Sequence, residues 1–352
     1  MSGSGAPDAW AARATSAGPA GADAADRSAT EPGGGAGRAA SGGGAGRVAA
    51  GGGAERVASG GGAGRAADGG GAERVASASR ADGPGPGFAG WLALREPADA
   101  AARAADLVEP VRRRLASAPR VVVHDLGSGT GSMGRWLAPR LPGPQHWIMY
   151  DRDADLLERA AAGMVTAAGG VACTVETRQR DITRLPPGDL AGASLITASA
   201  LLDMFTADEL DRVVAACAGA GCPVLMTLSV IGQVELTPPD PLDAVVAAAF
   251  NAHQRRTVDG RTLLGPDAVD AAVEAFRRYG MRVVVRPSPW RLGAGQADLA
   301  AEWFRGWVGA AGERRPELTG QVAAYASGRL ADAAAGRLGV TVGHSDLLAG
   351  WE

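Results

Sequence analysis

From Val121 onward, short apolar runs alternate with segments whose apolar residues recur every three to four positions. The first pattern predicts strands and the second amphipathic helices. Strands are expected at Val121–Asp125, His146–Tyr150, Cys173–Gln179, Ser194–Ala198, Val224–Val230, Arg282–Arg286 and Val340–Gly343. Helices are expected at Ser132–Pro139, Ala154–Ala162, Thr206–Ala218, Pro241–Gln254 and Pro266–Tyr279, with two more before the last strand. Asp153 can cap the second of these, and Thr206 with Glu209 forms a capping box for the third. Phe88–Leu115 reads as helical, with Pro97 and Pro110 marking starts or breaks. Strands alternating with helices imply a mostly parallel sheet with helices on both faces. Ligands in such folds bind beyond the carboxyl ends of the strands, where the strand order reverses.

Ahead of this pattern lies a different regime. From Gly33 the chain repeats every nine residues, as GGGAGRAAS, GGGAGRVAA, GGGAERVAS, GGGAGRAAD and GGGAERVAS. Three successive glycines per repeat cost more backbone entropy than the few large apolar residues can offset. Residues 1–86 are therefore expected to form a disordered tail, and residues 87–352 one folded domain. A calcium-binding β-roll would need an aspartate in each repeat, and collagen a glycine at every third residue; neither holds.

Composition narrows the chemistry. The chain has no lysine, so its 35 basic residues are all arginine and Schiff-base catalysis is excluded. A net charge of -3 gives no general attraction for nucleic acid. Cys173, Cys217 and Cys222 have no metal-ligand spacing, no two of the four histidines are spaced as ligands, and no metal site is expected. No secretory signal or membrane span is apparent, so a cytoplasmic location is expected.

The most informative segment is Val121–Leu137, VVVHDLGSGTGSMGRWL. A strand ends at Asp125, a turn follows with Gly127, Gly129 and Gly131, and a helix begins at Ser132. Glycines there permit positive φ and close approach of a ligand to the backbone. The free N–H groups at a helix start can receive a carboxylate. Gly129–Gly134 also satisfies the dinucleotide fingerprint G-x-G-x-x-G, with Asp151 placed to bind a ribose, so an NAD(P)-dependent oxidoreductase is an alternative. The acid before the turn weighs against it, because dinucleotide sites usually carry apolar residues there.

The D-L-G-x-G-x-G run resembles motif I of the class I S-adenosylmethionine (SAM) methyltransferases. The resemblance covers residues 88 to 352. It implies a doubly wound, mostly parallel seven-stranded sheet with a helical N-terminal lid, and SAM as cofactor. It also implies cofactor contacts from Asp125, Gly127, Ser128, Gly129 and Gly131, from Asp151 and Arg152 after the second strand, and from Asp181 and Ile182 after the third. In the family the strand-two acid binds the ribose hydroxyls and the acid after strand three the adenine amino group. Ser199–Asp203 occupies the position where methyl donor and acceptor meet, which assigns Ser199 to the cofactor and Asp203 to the acceptor. It lacks the Asn/Asp-Pro-Pro-Tyr sequence of enzymes that methylate nucleobase or glutamine nitrogens. His253, in FNAHQRR, is a candidate base, because a neutral imidazole can take a hydroxyl proton during methyl transfer. Trp91 and Arg95 on the lid helix are candidates for acceptor binding. His124 and His146 are expected to be structural, and Trp290, Trp303 and Trp307 to pack helices. The expected function is methylation of an oxygen or nitrogen on a small metabolite, without nucleic-acid or membrane partners. A SAM-binding protein without catalysis is the second alternative.

Overall fold

The computed structural model describes residues 87–350, apart from 165–169, 171–172 and 187. The expected tail over 1–86 lies outside the described residues. The first helix, α1, spans Phe88–Ala102 and α2 spans Val108–Leu115. They are separated at Arg103, whose extended backbone ends α1, so neither proline is the break. Pro110 sits in the first turn of α2, where its missing N–H has no partner to lose.

Strand β1 (Val121–Leu126) leads through the glycine turn to α3 (Ser132–Leu137). β2 (Gln145–Asp151), α4 (Ala154–Ala162), β3 (Cys173–Gln179), β4 (Leu195–Ser199) and α5 (Ala207–Gly219) follow. Asp153 caps α4, and Thr206 with Glu209 completes the expected capping box on α5. β5 runs from Val224 to Thr237, well beyond its apolar stretch. Then come α6 (Leu242–Gln254), a hairpin of β6 (Thr257–Val258) and β7 (Arg261–Thr262), and α7 (Ala268–Arg278). The chain closes with β8 (Arg282–Pro287), β9 (Trp290–Leu292), α8 (Ala297–Arg314), α9 (Thr319–Ala334) and β10 (Gly339–Gly350).

The main sheet has the order β3-β2-β1-β4-β5-β10-β8, with β9 added as an eighth strand on β10. β1 pairs in parallel with β2 and β4, and β4 with β5. β10 is antiparallel to both β5 and β8. The sheet is therefore doubly wound and mostly parallel, and the order reverses between β1 and β4. Apolar clusters cover both faces, one built around α5 and α7 and the other around α2 and α3. A third cluster joins α6, α8 and α9 to the outer halves of β5 and β10.

The long β5–β10 pair is bulged, and Leu228 takes a left-handed φ of 57°. Asp346 fixes this kink. Its buried carboxylate accepts from the Leu228 and Ala104 amides, each at 2.8 Å, and from the Ser288 hydroxyl. One side chain thereby ties the lid connection to the sheet.

Candidate active site

The carboxyl ends of β1, β2 and β4 open into a cavity of about 540 Å³, roofed by α1. Phe88, Trp91, Leu92, Arg95 and Asp99 line it from a single stripe of α1, at helical spacing. Glu96, on the same helix, grips Arg135 of α3 through two contacts at 2.5 and 2.7 Å. This pair fastens the lid helix to the element that follows the glycine turn.

The turn itself is a cradle. Gly127, Gly129 and Gly131 have φ of 67°, 55° and 84°, which only glycine adopts without strain. A Cβ on Gly127 would meet Leu201 at 3.0 Å, and one on Gly129 would meet Leu92 at 3.3 Å. Gly127, Ser128 and Gly129 line the cavity. Gly131 does not: it lies against the Ala160 backbone, where a Cβ would come within 3.1 Å. Its role is therefore to let α3 start close to α4, a correction to the expected cofactor contact.

Asp125 is the most buried acid at the cavity. Its Oδ1 accepts the Thr197 hydroxyl at 2.8 Å, while Oδ2 has no partner among the described residues. Burial pushes this carboxyl up to about 6, against the hydrogen bond from Thr197 and the charge of Arg103. A buried carboxylate oxygen left bare is a site waiting for a donor, and a cationic donor suits it best. Asp151 is also buried; its Oδ2 accepts from the Gly129 amide at 2.9 Å and its Oδ1 from the Asp153 amide at 3.2 Å. It faces the cavity together with Arg152, Arg180, Ile182, Thr183 and Ser199.

Asp181 departs from expectation. Its Oδ1 accepts from the Thr183 amide and hydroxyl at 3.0 and 2.7 Å and pairs with Arg152 at 2.7 Å. These bonds outweigh partial burial and hold its carboxyl below the usual range. It caps a short turn and stays out of the cavity wall, which its neighbours Ile182 and Thr183 supply.

Arg103 gave no distinguishing signal among so many arginines. It is buried, donates to Ser132 and Ser199 at 3.1 and 3.2 Å, and stacks 5.4 Å from the Trp136 ring centre. Its Nε and Nη1 have no partner among the described residues, and burial pushes its guanidinium below the usual range.

A second cavity, of about 110 Å³, shares Trp91, Arg95 and Ala200 with the first. Asp203 and His253 both line this cavity and not the first. Two non-glycine residues with left-handed φ stand in its wall, Ala200 at 52° and Leu228 at 57°. Strain of this kind concentrates at functional sites. Burial pushes the Asp203 carboxyl up to about 6. Burial also pushes His253 down to about 4, helped by Arg256 and Arg314, so its ring is neutral at pH 7. Trp290, Trp303 and Trp307, expected only to pack helices, also form its wall. His124 is structural, stacked on Tyr150 and hydrogen-bonded to its hydroxyl at 3.0 Å.

Residues 123–221 match a family model described as a methyltransferase domain. The stretch from β1 to the end of α5 is thus similar to a methyltransferase domain. No curated protein matches the chain. Among solved structures, the chain is similar to the YcgJ protein of Bacillus subtilis, with 14% identity and a TM-score of 0.41 over 71% of this chain and 100% of that one. The cyclopropane synthase MmaA2 of Mycobacterium tuberculosis matches with 14% identity and a TM-score of 0.38, covering 69% and 82% of the two chains. A SAM-dependent methyltransferase of Geobacter sulfurreducens, in complex with S-adenosyl-L-homocysteine, matches with 18% identity and a TM-score of 0.35, covering 71% and 92%.

The glycine cradle argues against a dinucleotide. A pyrophosphate needs the glycine-turn amides, but the Asp151 carboxylate already holds the Gly129 amide and Asp125 stands beside it. Two carboxylates there repel an anion and welcome a cation. Among the described residues no cluster of three or more His, Cys, Asp or Glu could hold a metal, and no helix is long and apolar enough to cross a membrane.

Proposed function

We propose that this protein methylates an oxygen or nitrogen of a small acceptor held in the second cavity. The observation that carries the reading is the adjacency of the two cavities. One has a glycine cradle and bare carboxylate suited to SAM, and the other, behind Arg95 and Ala200, holds a buried acid.

SAM, when bound, supplies a methyl group already activated on a sulfonium. Asp125 Oδ2 would accept from its ammonium, Asp151 from its ribose hydroxyls, and Ile182 would pack on its adenine. Arg103 positions Ser132 and Ser199 beneath that site. Such fixed placement is worth roughly 7–11 kcal/mol when the reacting groups are well aligned.

The acceptor loses a proton as its new bond to carbon forms. Asp203 is the better base, because a group with pKa near 6 is charged at pH 7 and still holds a proton usefully. His253, with its conjugate acid near 4, accepts a hydrogen bond but is a weak base. It therefore orients the acceptor while Asp203 takes the proton. The test is methyl transfer from labelled SAM into a pool of small oxygen and nitrogen nucleophiles, run with the wild type and with Asp203→Asn. Labelled product that depends on Asp203 supports the reading. SAM binding without transfer to any nucleophile would favour a SAM-binding protein without catalysis.

A further inference from the structure

The second cavity carries more information than its acid. Trp91, Phe250, Trp290, Trp303 and Trp307 make it aromatic, and the rings of Trp303 and Trp307 stack 5.3 Å apart at 20°. Such walls select flat ligands. Yet the same walls hold buried polar atoms without partners among the described residues. Both amide atoms of Gln254 are bare, as are Glu302 Oε1, Trp307 Nε1 and Trp91 Nε1. Gln254 is only 2% exposed and Glu302 7%. Buried groups of this kind are normally paired, so bare ones at a cavity point to a ligand that pairs them.

We propose that the second cavity takes a flat, uncharged nitrogen heterocycle that presents a cyclic-amide edge. The inference rests on the methyltransferase reading for the claim that this ring is the acceptor. An adjacent N–H and C=O meet the carbonyl and amino group of Gln254 in two parallel hydrogen bonds. Glu302 Oε1 accepts a further N–H or O–H, and the Trp307 indole donates to a ring nitrogen or carbonyl. An aliphatic chain would leave all these atoms unpaired. An anion fares no better. Asp203 and Glu302 line the cavity, and the Arg95 charge is neutralised by Asp99 through contacts at 3.0 and 3.1 Å. His253 and His344 are pushed down by burial to about 4 and about 3 and carry no charge at pH 7.

The test is calorimetric titration of the full chain with three probes: 2-quinolone, N-methyl-2-quinolone and 2-naphthoate. They share a two-ring outline, but the second lacks the amide N–H and the third is an anion. The wild type should bind 2-quinolone at least tenfold more tightly than either other probe. Gln254→Leu should erase the preference between the two quinolones. It removes unpaired atoms and leaves no partner stranded, so the variant should keep the wild-type melting temperature. Equal binding of the two quinolones, tighter binding of 2-naphthoate, no binding of 2-quinolone, or a preference unchanged by Gln254→Leu would each overturn the proposal. S-adenosylhomocysteine is titrated separately, and its result bears on the cofactor reading alone.

Discussion

At the scale of the residue, two buried acids divide the work, Asp151 at the first cavity and Asp203 at the second. Asp151 serves the cradle, and Asp151→Ala should weaken SAM binding by about 1.5–3 kcal/mol per charge-assisted bond lost, or tenfold and more. Calorimetry checks this, and unchanged affinity in a folded variant would place the ribose elsewhere. Asp203→Asn should lower turnover by about 10²–10⁴-fold while sparing SAM affinity, whereas His253→Ala should cost less than about tenfold. A steady-state comparison of the two variants separates a base from an orienting group. The Asp203 carboxyl is raised by burial from 3.8 to about 6, so turnover should fall as pH drops through 6. Stability runs the other way. A carboxyl whose folded pKa is raised stabilises most when protonated, and that contribution is lost as pH rises through about 6. Asp203→Asn should therefore raise the melting temperature at pH 7.5 and change it little at pH 3.5, which thermal scans will read. His253 was visible in the sequence as a histidine near the pocket. Its desolvation, which weakens it as a base, depends on long-range packing and was not.

At the scale of the element, the parallel half of the sheet was legible because each strand is a compact apolar run bounded by turn residues. The glycine turn was legible for a related reason, since the need for positive φ is written in residue type. Gly127→Ala should destabilise by about 1–3 kcal/mol, through a strained φ of 67° and the 3.0 Å approach to Leu201. Chemical denaturation measures the loss, and no loss would mean that the turn relaxes. The antiparallel half extends beyond its apolar runs. β5 continues through Gly232, Gln233 and Glu235, and β10 through His344 and Asp346, where polar residues interrupt the pattern. The partner strand pairs those backbones whatever the side chains are, and Asp346 stabilises the resulting bulge from a distant part of the chain. Local periodicity holds no trace of either. Gln254 and Glu302, on α6 and α8, likewise look like ordinary polar helix positions until the fold turns them onto the second cavity.

At the scale of the whole molecule, every residue proposed to hold the cofactor or the acceptor lies at Phe88 or beyond. Composition argues that residues 1–86 add no core, so their removal should leave melting temperature and SAM affinity nearly unchanged. A large loss of stability on truncation would show that the repeats pack on the domain. The central claim is that a glycine cradle flanked by two buried carboxylates selects a cationic nucleoside cofactor over a dinucleotide. Its most direct test is parallel calorimetric titration of the purified protein with SAM, S-adenosylhomocysteine and NADH. The first two should bind saturably and NADH not at all, with SAM affinity falling as pH drops below about 6, where Asp125 takes up its proton. Tight binding of NADH without binding of SAM would contradict it.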